Sequence, residues 1–127
     1  MSELAQKDRQ LLQALSKPSK KCEIRALIAG GADPTVIDPV SGLRPIHIAA
    51  RDGNINALKA LLEDKRVHAD CIDSRGKVPY EWADEFKRTR AEDLLLNTIF
   101  ENPSRYSRQS IREARHHLRV KSESVPA

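Results

Sequence analysis

A chain of 127 residues carrying a formal charge of +4 is one domain's worth of sequence, enough for a core and too short for two independent globules. Apolar residues make up 39%, charged residues 31% and aromatics only 4%, so many aliphatic helices are expected rather than a core built on large rings. No stretch reaches the roughly 18 to 20 apolar residues of a membrane-spanning helix, and residues 1–8 are polar without the apolar run of a secretory signal; a soluble cytoplasmic protein is expected.

In chain order, Leu11, Leu12 and Leu15 share one helical face, and so do Ile24, Leu27 and Ile28; two short amphipathic helices are predicted, separated at Pro18. Gly30 and Gly31 end the second helix, because glycine accepts the left-handed backbone that other residues resist. Residues 33–43, with Pro34, Asp38, Pro39 and Gly42, are turn chemistry. Pro45 suits the first turn of a helix, where its missing N–H removes no intrahelical bond. Ala49 and Ala50 allow close helix approach, and Gly53 stops that helix before Ile55, Ala57, Leu58, Leu61 and Leu62 build the next. Residues 70–76 form a second turn segment, after which Pro79, Ala83 and the leucines 94–96 repeat the plan. Cys22 and Cys71 lack the spacing of a zinc site or a redox pair and are expected to be buried free thiols.

The plan is periodic. Gly42, Pro45 and Ala49 return as Gly76, Pro79 and Ala83, and Leu61 and Leu62 return as Leu95 and Leu96, each pair 34 positions apart. The run from Gly42 through Pro45, Ile46, His47, Ile48, Ala49 and Ala50 to Gly53, followed by Leu61 and Leu62, resembles the ankyrin repeat. Residues 7–41 resemble its N-terminal capping repeat, with one residue inserted near 17–20, residues 42–75 a full repeat and residues 76–100 a degenerate last one. An all-α stack of helix-turn-helix units with projecting β-turn loops is implied for residues 1–100, followed by a basic tail at 101–127.

Arg44 and Val78 stand where the family carries a helix-capping threonine, and each loss should cost on the order of 1 kcal/mol. Glu92 stands where the middle unit has Leu58, so the last unit reads as a terminal cap whose outer face meets water or the tail. The resemblance gives His47 a structural role, tying neighbouring turns through backbone hydrogen bonds.

No residue set reads as catalytic. The adjacent His116 and His117 diverge by about 100° on a helix and read as a solvated pair. Carboxylate pairs such as Asp84 with Glu85 and Glu92 with Asp93 read as solvated faces, and no glycine-rich phosphate loop is present. No cofactor, metal or small-molecule substrate is expected. The resemblance implies instead a monomeric, non-catalytic adaptor that binds a protein through turn tips and first helices. Those positions map onto Val40, Ser41, Leu43, Arg44, Arg51 and Asp52 in one unit, and onto Ser74, Arg75, Lys77, Glu85 and Phe86 in the next. Basic residues outnumber acidic ones there, favouring an acidic or mixed-charge partner. Phe86 is either an exposed anchor or folded back on Tyr80, Trp82 or the tail.

The tail from 101 onward carries six basic residues against three acidic ones. Arg108, Arg112, Arg115 and Arg119 have helical spacing, edged by Ile111, Ala114 and Leu118. Three readings stay open: a helix packed on the last repeat, a disordered arm, or a contact with nucleic acid or an anionic membrane, for which the stripe lacks stacking aromatics. Ser110 and Ser122 follow arginines at kinase-like spacings.

Overall fold

The computed structural model describes residues 6–15 and 20–124, with side chains to 120. The predicted break at Pro18, residues 17–19 of the insertion expected near 17–20, and the side chains of Lys121 and Ser122 lie outside these. Among the described residues, seven helices account for the regular structure: α1 (Gln6–Leu15), α2 (Lys21–Ala29), α3 (Pro45–Asp52), α4 (Ile55–Leu62), α5 (Pro79–Glu85), α6 (Thr89–Glu101) and α7 (Arg108–Ser124). The described residues hold no strand, and the fold is all-α as the repeat pattern implied.

Helices pair as α1/α2, α3/α4 and α5/α6. First helices pack in a row, α1 on α3 and α3 on α5, while α2, α4 and α6 form the row behind. Each pair alone would leave an apolar face in water, so the core exists only because units stack. Leu11, Leu15, Ile24, Ile46, Leu58, Leu61, Leu95, Leu96 and Ile99 fill it, with Ala49, Ala50, Ala57 and Ala83 where backbones approach.

The period of 34 is visible in the backbone itself. Gly53 leaves α3 in the left-handed region at φ +70°, and the N–H of Asn54 returns to the carbonyl of Ala49 at 2.9 Å. One period later Lys87 adopts the same conformation at φ +57°, and Arg88 N–H returns to Ala83 O at 2.7 Å. A lysine thus holds a geometry that glycine takes without steric cost. The expected missing caps are also present: Arg44 and Val78 precede α3 and α5 without a side-chain bond to the helix, whereas Asn54 caps α4 by accepting from Ala57 N–H at 3.1 Å.

Between pairs, two loops project. In the first, Asp38 N–H donates to Leu43 O at 2.9 Å and Gly42 N–H to Asp38 O at 2.7 Å. In the second, Asp73 N–H donates to Lys77 O at 3.1 Å. Ser74 joins them, its N–H and its hydroxyl both reaching Gly42 O at 3.1 Å. Gly42 sits at φ +76°, and a Cβ there would collide with Ser74 Oγ. Behind the stack, Glu63 receives Arg25 and, at 2.9 Å, Lys21, tying the end of α4 to α2. Those hydrogen bonds, Arg25's first, draw its carboxyl down to about 2.

Over its described residues, 101–124, the tail takes the first of the three readings, a helix packed on the stack. Tyr106 is buried and its hydroxyl accepts the N–H of Ala69 at 3.0 Å. Arg105 donates to the carbonyls of Lys65 and Val67, at 2.9 and 2.7 Å, closing the segment after α4. Along α7, Ser110 hydroxyl donates to Asp70 Oδ2 at 2.6 Å, Ala114 is fully buried, and His117 Nε2 lies 2.6 Å from Glu92 Oε2.

That last contact corrects two expectations. Glu92 is not on a solvated face but 2% exposed, and His117 is not a solvated histidine but inserts between Glu92 and the Tyr80 ring, centroids 4.8 Å apart. A carboxylate at a core-leucine position is tolerable only with a partner, and the tail supplies one. Cys22 is also exposed rather than buried, because α2 is an end helix whose outer side no further unit covers.

Candidate functional site

The second projecting loop is built around Asp73, which is almost fully buried. Its Oδ1 accepts the backbone N–H groups of Arg75 at 2.8 Å and Lys77 at 3.0 Å, and its Oδ2 accepts the indole N–H of Trp82 at 2.9 Å. Burial works against the charge, but the donors from Lys77, Trp82 and Arg75 outweigh it and hold the carboxyl below its ordinary range. One carboxylate therefore fixes both the loop and the aromatic ring on α5.

Around Trp82 the side chains converge. Lys77 Nζ sits 4.3 Å and the Arg75 guanidinium carbon 6.0 Å from the ring centroid, a cation–π arrangement. Lys77 also pairs with Glu85, and Phe86 lies against the indole with centroids 5.9 Å apart. Arg75, Lys77, Glu85 and Phe86, each expected at the binding surface, are thus gathered into one patch. Phe86 rests on Trp82 yet is 46% exposed. Trp82, the hub, was considered only as a cover for Phe86; its burial at the i−4 position of the same helix hides its role from a pattern search.

The rest of the expected surface divides. Val40, at the first loop's tip, is 93% exposed, and Ile72 on the second loop is 54% exposed. Arg51 and Asp52 pair at 3.1 Å at the end of α3, where Arg88 Nε donates to Arg51 O at 3.1 Å. Leu43 is a correction: it is 2% exposed, because the turn closed by Asp38 folds it inward as the last residue before the helix-capping position. Arg44 is half-buried, and its guanidinium bridges the loops by donating to Thr35 O at 2.6 Å and Ile72 O at 2.9 Å. It acts as a cross-loop strut.

His47 is fully buried, with Nε2 2.8 Å from Lys77 O. A carbonyl only accepts, so Nε2 carries a proton and donates it. Its Nδ1 is buried without a hydrogen-bond partner. Burial, the largest influence, holds the ring below its ordinary value, against the opposing Lys77 carbonyl. His47 ties α3 to the following loop, the task the resemblance implied. Beside Arg44, a hollow of about 210 Å³ is lined by Pro34, Ile46, Val67 and Cys71. Burial pushes the Cys71 thiol up to about 11, so it is protonated at neutral pH and is no nucleophile.

Two rows of paired helices, loops projecting from one edge and a structural histidine at the head of a first helix define a repeat-stack protein. Comparison agrees. Human cyclin-dependent kinase 4 inhibitor B is 31% identical over 98 residues, covering 65% of this chain and 70% of the relative. The mouse protein of the same name is 36% identical over 59 residues, spanning 46% of this chain and 45% of the relative. Human cyclin-dependent kinase inhibitor 2A is 36% identical over 59 residues, 46% of this chain and 37% of the relative. No protein-family model matches the chain. The chain belongs to the ankyrin-repeat family.

Proposed function

We propose that this is a non-catalytic binding protein whose partner is another protein, gripped by the loop tips and the Trp82 patch. The observation that carries the reading is the exposed apolar group Val40, Ile72 and Phe86, held on a framework that Asp73, Arg44 and His47 tie together by hydrogen bonds. Exposed apolar anchors on rigid backbone gain desolvation energy on contact and lose little conformational entropy. Arg75 and the Lys77–Glu85 pair rim these anchors and steer encounter with an acidic or mixed-charge surface.

The relatives are named as inhibitors of cyclin-dependent kinases, so a kinase of that class is the partner to test first. Purified cyclin-dependent kinase 4 titrated into the intact chain should release or absorb heat with a saturable isotherm. Val40→Ala with Phe86→Ala should weaken it at least tenfold while leaving the circular dichroism unchanged. A flat isotherm with the intact chain rejects this kinase as partner.

A further inference from the structure

The docked tail leaves one face of α7 unused by the fold. Ser110, Ala114 and His117 turn toward the stack, whereas Arg108, Arg112, Arg115 and Arg119 are all exposed. At about 100° per residue these four fall within about 40° of one line, on the opposite side of the helix from Ser110 and His117. Glu113, the one acidic side chain described on α7, lies about 140° round from that line and pairs with Gln109 at 3.1 Å. Arg108, Arg112 and Arg115 with Ile111 line an open groove of about 350 Å³.

We propose that this stripe binds the phosphate backbone of duplex nucleic acid, as a second surface independent of the protein-binding one. The four guanidiniums are spaced by about 6, 4.5 and 6 Å along a straight axis. A duplex strand presents a phosphate about every 3.4 Å of its axis, so every arginine meets a phosphate within reach of its stem. Arginine's planar fork suits two-point bonding to phosphate oxygens. Single strands are disfavoured because the stripe carries no aromatic to stack unpaired bases; Tyr106 is buried. A bilayer is disfavoured because α7 has no apolar face to turn to the lipid: Ala114 is buried on the stack, and the exposed Leu118 and Val120 lie about 160° apart round the helix.

The test is fluorescence anisotropy of a labelled 20-base-pair duplex with the full chain from 50 to 200 mM salt. It compares the wild type with Arg108→Gln, Arg112→Gln, Arg115→Gln and Arg119→Gln together, and with lysine at the same four positions. Binding is expected to weaken with salt at a log–log slope of about −3.6, four phosphates at about −0.9 each. The glutamine variant should lose at least tenfold in affinity and most of that slope, and the lysine variant should keep the slope. No duplex binding at 50 mM salt, or equal binding by the glutamine variant, overturns the proposal. So does displacement of the duplex by anionic phospholipid vesicles or poly-glutamate as effectively as by unlabelled duplex.

Discussion

Gly42 shows how a single backbone position fixes the loops. At φ +76° it is in a region that costs an L-residue roughly 1–2 kcal/mol, and it abuts Ser74, which joins the two loops. Gly42→Ala should lower the unfolding free energy by about that amount, seen as a lower urea midpoint at unchanged slope; an unchanged midpoint would show the loop junction to be slack. His47 makes a prediction in pH. Its ring is held below the ordinary value near 6.5 by burial, so as pH falls the unfolded chain takes up this proton first. The stability that His47 contributes is therefore complete above about pH 6.5 and declines below it, until the folded ring is protonated as well. Between pH 7 and pH 5 the wild type should lose more melting temperature than His47→Gln, whose amide can still donate to the Lys77 carbonyl. Parallel losses would remove His47 from the acid response.

At the scale of elements, the repeat makes Lys87 an informative departure. It occupies Gly53's position one period on, in the same left-handed conformation and with the same returning bond from the next residue. Lys87→Gly should stabilise the chain by about 1 kcal/mol, measured by chemical denaturation, because relief of the strained conformation exceeds the added freedom of the unfolded chain. Destabilisation would mean that the lysine side chain makes compensating contacts. Helix limits, loop positions and missing caps were legible in the sequence because glycine, proline and leucine recur with one period, and each has a single conformational consequence. Leu43 was misplaced because a turn tip and its inward-facing last residue look alike when only spacing is read. His117 was misread because the two adjacent histidines were weighed against each other; its partner Glu92 lies on a different helix, and the periodic pattern relates positions within units, not across the tail.

At the scale of the molecule, α7 closes the open end of the stack. Tyr106 and Arg105 satisfy backbone groups of the segment after α4, and His117 covers Glu92, so removal of the tail would expose core and leave a buried carboxylate without its imidazole. Tyr106→Phe removes the acceptor from the Ala69 N–H, leaving a buried donor unsatisfied, and should cost about 1–3 kcal/mol. Hydrogen exchange in α7 should accelerate with it if the tail and stack unfold as one unit; unchanged protection would mean that α7 docks without this bond.

Because truncation would strip these contacts from the stack, the binding face is better tested by surface substitutions. The decisive measurement is quantitative capture of proteins from cell extract by the intact chain, by Val40→Ala with Arg75→Ala and Phe86→Ala, and by the four-arginine glutamine variant, after treatment with nuclease and with each bait shown to be folded. The account predicts that a protein partner retained by the intact chain and by the tail variant is lost from the loop-face variant. An identical captured set for the intact chain and the loop-face variant would contradict it.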